Sequence, residues 1–223
     1  MVKLWLFDID GTLVNINHVH LASYKLAYRD VFRKDVPDKT IESQFGKSEY
    51  DTHISILSAL GIHLDKKLID RLTKTFELNS IRALSGLGKI EPLEGVVEFL
   101  TYLQNNHEYL GAVSGNLRLP AELILEKASL MNFFNILSFD DGTKTRERIV
   151  QHAIDEARRQ KYKFGRVVVV GDTTKDVEAG KYVNAFTVSV ATGSDSLLAL
   201  KEKNPDIALS TLKDYKLILE AIR

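Results

Sequence analysis

The sequence predicts an α/β protein with a doubly wound parallel sheet and an all-helical insertion near its start. Three observations predict this class. Short β-rich runs end in small or polar residues, helical patterns lie between the later runs, and roughly residues 17–88 contain helical patterns alone. Strands that alternate with helices indicate βαβ units, which build a parallel sheet with helices on both faces.

The predicted strands are four apolar runs without polar alternation, which is typical of strands buried on both faces. They are "KLWLFDID", "YLGAVSGN", "GRVVVVGD" and "AFTVSVATG", and "DIALS" is a weaker fifth. Helices are predicted between and after them from apolar residues spaced three and four apart. These helical segments are "VVEFLTYLQNN", "LPAELILEKASLMNFF", "TRERIVQHAIDEARRQ", "KDVEAGKYV" and "TLKDYKLILEAIR".

The predicted insertion contains three helical patterns with no convincing strand between them: "VHLASYKLAYRDVFRK", "EYDTHISILSALG" and "DKKLIDRLTKTFELNSIRAL". It ends at "SGLGKIEPLEG", whose glycines and proline are typical of a hinge. We therefore predict a sheet domain from residues 1–16 and 89–223, and a helical domain over residues 17–88.

Composition excludes several function classes. The 223 residues include 30 Lys plus Arg and 30 Asp plus Glu, so the formal net charge is zero and no nucleic-acid partner is expected. The apolar start "VKLWLF" is far too short for a membrane span, and no membrane partner is expected. With no cysteine, a metal would need oxygen or histidine ligands, and a cytoplasmic location fits.

The tip of the first strand carries two acids. Asp8 and Asp10 are two residues apart, so on a strand they face the same side. A divalent cation would relieve their repulsion, and hard oxygen ligands near a phosphate favour Mg²⁺. Gly11 permits a tight turn and Thr12 offers a hydroxyl. The alternative is a turn with two solvated acids.

Other strand ends carry polar groups that can converge on the same edge of the sheet. Asp172 follows "GRVVVV" and is the natural further metal ligand. Asp176 lies near a helix start. Either the helix dipole stabilises its negative charge, or it supports the metal site by holding a metal-bound water or a cationic side chain. The segment Ser114, Gly115 and Asn116 offers a hydroxyl and backbone N–H groups to a phosphate, or else is an ordinary turn.

These motifs resemble the haloacid dehalogenase-like hydrolase superfamily. The resemblance rests on D-x-D-G-T at residues 8–12, a serine after a strand at 114, a basic residue at a helix start near 144, and "GDTTKD" at 171–176. It covers essentially the whole chain. "VSGN", "FFNILSFDDG" and "RERIVQHAI" resemble the phosphoglycolate phosphatase-like branch, and residues 17–88 resemble its cap domain.

The resemblance implies a Rossmann-like core and Mg²⁺-dependent hydrolysis of a small phosphorylated metabolite through an aspartyl-phosphate. It implies that Asp8 is the nucleophile and that Asp10 protonates the leaving oxygen and then activates water. The Asp10 carbonyl would bind Mg²⁺ with the side chains of Asp8 and Asp172. Ser114 and a basic residue would bind the phosphoryl group. Oligomeric state is left open between monomer and homodimer.

Two positions stay open at this point. The family's usual lysine is followed by proline, whereas here Lys144 precedes Thr145 and Arg146, so either Lys144 or Arg146 can be the phosphate-binding cation. In the cap, residues 45–51 occupy the region of a substrate-specificity loop, and Gly46 and Lys47 are candidates there, although a surface lysine is the simpler reading. The histidines His18, His20 and His53 are interpreted as packing or surface residues.

Alternative functions remain within and outside this chemistry. A β-phosphoglucomutase-like enzyme would pass the phosphoryl group from Asp8 to a sugar hydroxyl instead of water. A phosphonoacetaldehyde hydrolase-like enzyme would need a Schiff-base lysine in the cap, where Lys47 is a loose candidate. A noncatalytic binding module would be expected to lose Asp8, Asp10 or Asp172, and all three are present.

Overall fold

The computed structural model describes residues 1–142 and 144–222 and contains a six-stranded sheet in which every neighbouring pair of strands is parallel. The strands are β1 (Lys3–Phe7), β2 (Tyr109–Leu117), β3 (Ile136–Asp140), β4 (Arg166–Gly171), β5 (Phe186–Val190) and β6 (Ile207–Leu209). Their order across the sheet is β3-β2-β1-β4-β5-β6. The predicted doubly wound sheet is confirmed, and β3 is an additional strand that the sequence reasoning missed.

Ten α-helices accompany the sheet within the described residues. They are α1 (Asn17–Phe32), α2 (Asp38–Glu42), α3 (Glu49–Ala59), α4 (Lys66–Gly86), α5 (Val96–Asn105), α6 (Arg118–Lys127), α7 (Arg146–Arg159), α8 (Thr174–Tyr182), α9 (Leu197–Glu202) and α10 (Tyr215–Ala221). The predicted helix over residues 119–134 is too long. It stops at Lys127 because Ser129 has a left-handed φ of 58°, and a short 3₁₀ turn follows at Met131–Phe133.

Two apolar layers cover the sheet. Alternate residues of β1 point to opposite faces, so Trp5 and Phe7 belong to the layer under α5, α6 and α10, while Leu4 and Leu6 belong to the layer under α7 and α8. Phe99 of α5 meets the Trp5 and Phe7 rings edge-on, with centroids 5.4 and 5.9 Å away. This packing makes β1 the rigid centre of the sheet.

Helices α1 to α4, here called the cap, have an apolar core of their own. It includes Tyr28, Ile56 and Phe76, which are separate from both layers around the sheet. No sheet strand lies within this part of the described chain, as the sequence predicted. The domain boundaries at residues 16 and 88 stay predictions.

Strand order determines where a ligand can bind. The chain passes from β1 outward to β2 and β3 on one side, then returns to β4 on the other side of β1. Ligands of such sheets bind at this switch point, beyond the carboxyl ends of the strands. Asp8 directly follows β1 and Asp172 directly follows β4, so both lie at this edge. Among the described helices, none is long and apolar enough to cross a membrane.

Candidate active site

A cavity of about 50 Å³ lies between the cap and the carboxyl edge of the sheet. Residues from both parts line it. On the sheet side are Asp8, Asp10, Ser114, Gly115, Asn116, Arg146 and Asp172, and on the cap side are His20, Tyr24, Gly46, Lys47 and Thr52. The structure thus brings together most of the residues that the sequence singled out.

A buried guanidinium joins two carboxylates at the centre of the site. Arg146, the first residue of α7, donates from Nη2 to Asp8 Oδ1 and to Asp176 Oδ1, the latter at 2.5 Å. Its Nε donates to the same Asp176 oxygen at 3.0 Å. Arg146 is 4% exposed, so this charge is shielded from water and its attraction for both acids is strong.

Asp176 also caps the helix on which it lies. Its Oδ2 accepts from the Thr173 backbone N–H at 3.0 Å and from the Thr173 hydroxyl at 2.7 Å, and the Thr173 side chain accepts from the Asp176 backbone in return. This capping box fixes the start of α8. Asp176 therefore serves both as a helix acid and as a partner of Arg146, the two roles that the sequence left open.

Asp172 is held at the tip of β4 by two donors. The Thr12 hydroxyl donates to its Oδ1 at 3.2 Å, and the Ser194 backbone N–H donates to its Oδ2 at 3.1 Å. Asp172 is buried, so these bonds orient a carboxylate that has little access to solvent. Thr12 therefore orients Asp172 through its hydroxyl.

The acids at this edge suit a hard divalent cation. Carboxylate oxygens of Asp8, Asp172 and Asp176 lie within 4.8 Å of one another, and all three residues are buried. Burial, together with Asp176 and Asp10, raises the pKa of Asp8 from 3.8 to about 7 against the opposing attraction of Arg146. Burial and the neighbouring Asp8 and Asp176 raise the pKa of Asp172. A bound cation would remove this conflict and keep the acids ionised.

Asp10 occupies a separate position in the cavity, between the sheet and the cap. Its Oδ2 accepts from the Asn116 amide at 2.5 Å and lies 3.2 Å from His20 Nε2 on α1. Burial by itself would lower the pKa of His20, but the Asp10, Glu49 and Asp8 carboxylates outweigh it and raise that pKa. The interpretation of His20 as a packing or surface residue was therefore incomplete, because its Nε2 lies beside the carboxylate of a predicted catalytic acid.

Ser114 and its neighbours form a small cradle at the end of β2. Ser114 Oγ accepts from the Asn116 backbone N–H at 3.1 Å, which leaves the hydroxyl proton available to a ligand oxygen. Ser114 is 2% exposed and lines the cavity. Gly115 is required by a close approach, because a side chain there would overlap the backbone of Lys47 in the cap.

The two candidate cations have different surroundings. Lys144 Nζ pairs with Asp141 at 2.8 Å, and Lys144 lines a separate surface depression with Arg148, Gln151, His152 and Asp155. Arg146 instead lines the main cavity and contacts Asp8. Of the two, the structure thus places Arg146 in the cavity. Thr143, which directly precedes Lys144, is outside the described residues.

The loop between α2 and α3 brings the cap onto the sheet edge. Gly46 has a φ of +84°, and a Cβ there would lie 2.7 Å from the Thr173 side chain. Lys47 lines the cavity, although its Nζ donates to Gln44 at 2.7 Å and to Ser55 at 2.8 Å. Nearby, the Tyr50 backbone N–H donates to Asp140 Oδ2 at the end of β3, at 3.3 Å. The predicted specificity loop therefore closes one side of the cavity.

Sequence reasoning missed His20, Tyr24 and Thr52 as cavity residues. No local motif marks them, because they reach the site only when the cap helices pack together over the sheet. His18 does not line the cavity, and His53 is fully buried inside the cap. The sequence signal for this group was His20 itself, a titratable residue on the first cap helix. A histidine at such a position does not by itself distinguish packing from function.

Comparison with known proteins agrees with this architecture. The sequence profile described as haloacid dehalogenase-like hydrolase matches residues 5–190. Among the curated relatives is a pyrophosphatase PpaX of Oceanobacillus iheyensis, 27% identical over 216 residues, which cover 96% of this chain and 94% of the relative. A phosphoglycolate phosphatase of Synechococcus elongatus is 27% identical over 217 residues, with 97% and 95% covered.

Solved structures share the fold at lower identity. A hydrolase from Pseudomonas syringae aligns with a TM-score of 0.82 at 21% identity, covering 98% of each chain. A β-phosphoglucomutase from Clostridium difficile also aligns with a TM-score of 0.82, at 17% identity, covering 99% of this chain and 97% of its own. Because the profile matches most of the sequence, the chain belongs to the haloacid dehalogenase-like hydrolase family, and the predicted family is confirmed.

The carboxylate cluster predicts how ion-free protein responds to pH. Raised folded-state pKa values for Asp8 and Asp172 mean that the folded chain holds protons that the unfolded chain has already released. Stability of the ion-free protein should therefore fall as pH rises from about 4 to about 7. Added Mg²⁺ should raise the melting temperature more at about pH 8 than at about pH 5, because it binds the ionised acids.

Thermal unfolding with a chelator and with Mg²⁺, at both pH values, measures this effect. Asp172→Asn is the control variant, since it removes one charge and one ligand of the cluster. Its melting temperature should respond little to Mg²⁺. An equal Mg²⁺ response in the parent and in Asp172→Asn would contradict a cation site at these acids.

Proposed function

We propose that this protein is a Mg²⁺-dependent phosphatase that hydrolyses a small phosphomonoester through an aspartyl-phosphate on Asp8. The observation that carries the proposal is the position of Asp8. Its carboxylate lies in the cavity at the tip of β1, bound to the buried Arg146 and adjacent to the Asp172 and Asp176 carboxylates. Relatives named as a pyrophosphatase and a phosphoglycolate phosphatase support phosphate chemistry.

Asp8 would act as the nucleophile. Arg146 orients it through Oδ1, and a carboxylate oxygen attacks phosphorus while the bond to the leaving oxygen breaks. The loss of that bond leaves negative charge on the leaving oxygen, which needs a proton. Phosphoryl transfer depends mainly on such positioning and on compensation of charge, and the buried site supplies both.

Asp10 would move the protons. Held by Asn116 and next to His20, it would give its proton to the leaving oxygen in the first step. In the second step, it would take a proton from water as that water attacks phosphorus. The bond between phosphorus and Asp8 then breaks, and both carboxylates return to their starting state with inorganic phosphate released.

Residues around these acids would hold the ion and the phosphoryl group. Asp8 and Asp172 side chains, with the Asp10 carbonyl, are the proposed Mg²⁺ ligands. When bound, the ion offsets the negative charge of the phosphoryl oxygens. Ser114 would donate its free hydroxyl proton to one of these oxygens, beside the backbone N–H groups of Gly115 and Asn116. Gly46 and Lys47 stay proposed contributors to substrate binding.

A phosphatase screen over roughly a hundred metabolites, with Asp8→Asn as the control, tests the proposal. Uncatalysed hydrolysis of phosphate monoesters is so slow that any phosphate released must come from the enzyme. We expect phosphate release from some small monoesters by the parent and none by Asp8→Asn. Isomer formation without phosphate release would favour the mutase alternative. If no substrate is hydrolysed in an Asp8-dependent way, the proposal is wrong.

The choice between the two cations gives a sharper prediction. Arg146→Ala should lower kcat/KM by at least about 100-fold, because it removes a charge that contacts Asp8 in a water-excluded site. Lys144→Ala, a loss of the same charge two residues away, should change kcat/KM by less than about threefold, because its partner Asp141 is at the surface. Steady-state kinetics of both variants decides the point, and the opposite ranking would contradict the assignment.

A further inference from the structure

A group of buried polar residues inside the cap has no part in the chemistry proposed above. It consists of Tyr24, Tyr28, Glu49, Thr52 and His53, here called the cap polar cluster, and every member is buried. Tyr24 and Thr52 also line the cavity, from the cap. The cluster therefore reaches from the interior of the cap to the place where a substrate's leaving group would lie.

The cluster is organised around the Glu49 carboxylate. Tyr24 donates from its hydroxyl to Glu49 Oε2 at 2.9 Å, and His53 Nε2 lies 3.1 Å from Glu49 Oε1. Behind them, the Tyr28 hydroxyl lies 3.1 Å from His53 Nδ1. Glu49 is only 2% exposed, and a buried carboxylate is costly unless donors surround it. The Tyr24 hydroxyl therefore points its proton at Glu49, and His53 Nε2 packs beside the other carboxylate oxygen without a hydrogen bond to it.

This hydrogen bond fixes what the cap offers to a ligand. The Tyr24 hydroxyl has a single proton, and it donates that proton to Glu49 Oε2. The Tyr24 oxygen can then only accept from a third group. Burial and the charge of Glu49 raise the pKa of Tyr24, while a hydrogen bond from Thr52 opposes that rise, so the phenol stays protonated. If Thr52 donates to Tyr24, the Thr52 oxygen is left as the acceptor instead.

Tyr24 and Thr52 thus add hydroxyl oxygens to the cap side of a cavity that Lys47 also lines. At the sheet edge, Ser114 and Arg146 are donors that suit phosphoryl oxygens. At the cap wall, this hydroxyl pair presents acceptor lone pairs, those of Thr52 where Thr52 donates to Tyr24 and those of Tyr24 otherwise. A leaving group that carries a hydroxyl would satisfy these lone pairs, whereas a purely apolar one would leave them buried and unpaired, at a substantial cost.

We propose that the cap polar cluster determines specificity by selecting phosphate monoesters whose leaving group carries a hydroxyl donor. Tyr24 and Thr52 would contact that hydroxyl directly. Glu49 and His53 would be positioning residues that act through Tyr24. This inference rests on the proposed phosphatase function and adds the chemical class of its substrate.

Two esters with the same carbon chain test the inference: glycerol 1-phosphate, which carries hydroxyls, and n-propyl phosphate, which does not. The parent should prefer glycerol 1-phosphate by at least about 10-fold in kcat/KM, because a site built to bind a hydroxyl rejects the analogue that lacks it. Tyr24→Phe and Thr52→Val should reduce this preference to less than about threefold. Turnover of glycerol 1-phosphate should fall, and turnover of n-propyl phosphate should rise, because the variants no longer bury an unpaired oxygen against the apolar chain.

Matched variants separate specificity from folding. Tyr28→Phe removes a hydroxyl of the same cluster that does not line the cavity, and should keep the preference. Thr52→Ser keeps the hydroxyl and should also keep it. Glu49→Gln offers an amide donor to Tyr24, which can reverse the direction of that hydrogen bond, so the preference should fall even where turnover of n-propyl phosphate persists.

Failure of this inference is distinguishable from failure of the proposed function. Asp8-dependent hydrolysis of p-nitrophenyl phosphate tests the phosphatase chemistry alone. If that hydrolysis occurs but the parent treats the two esters equally, the inference is overturned and the function stands. A preference that survives unchanged in both Tyr24→Phe and Thr52→Val also overturns it. Absence of any Asp8-dependent turnover would contradict both.

Discussion

The contact of Arg146 with Asp8 and Asp176 is the interaction on which the rest of the site depends. Three buried carboxylates meet at one edge of the sheet, and their mutual repulsion would otherwise drive protonation or local opening. The guanidinium is planar and permanently charged, which suits it to hold two carboxylates at once. It also ties α7 to the tip of β1 and to the start of α8, so the chemistry and the packing of the core share one ion cluster. Removing Arg146 would leave these buried carboxylates without a compensating charge.

The cap completes this cluster by excluding water from it. Gly46 packs on Thr173, whose hydroxyl binds Asp176, and His20 lies beside Asp10. Cap residues therefore pack against both the ion cluster and Asp10, the proposed proton carrier. Because the Asp8, Arg146 and Asp176 side chains are buried, these electrostatic contacts are stronger than they would be in water. The same packing places Tyr24 and Thr52 of the cap polar cluster in the cavity with Ser114 and Arg146.

The sequence was informative where a function depends on strand ends, and less so where it depends on packing between elements. Asp8 and Asp172 could be placed because apolar strands lead directly into them. Strand β3 was missed because "ILSFD" is short and follows a 3₁₀ turn, so its neighbours gave no helix or strand period. The sequence did not show whether Arg146 or Lys144 lines the cavity, because that depends on the residue at which α7 begins. The direction of Tyr24 toward Glu49 depends on the packing of α1 against α3, which no local pattern encodes.

The central claim is that Asp8 carries the phosphoryl group between two chemically distinct steps. Asp10→Asn tests it most directly when p-nitrophenyl phosphate is the substrate, because this leaving group needs no proton in the first step, whereas water attack in the second step needs a base. Acid quenching followed by mass spectrometry of the peptides locates the phosphate. The account predicts a phosphorylated peptide that contains Asp8, accumulated in Asp10→Asn and absent from Asp8→Asn. Phosphate on another residue, or none in Asp10→Asn while the parent turns over, would contradict it.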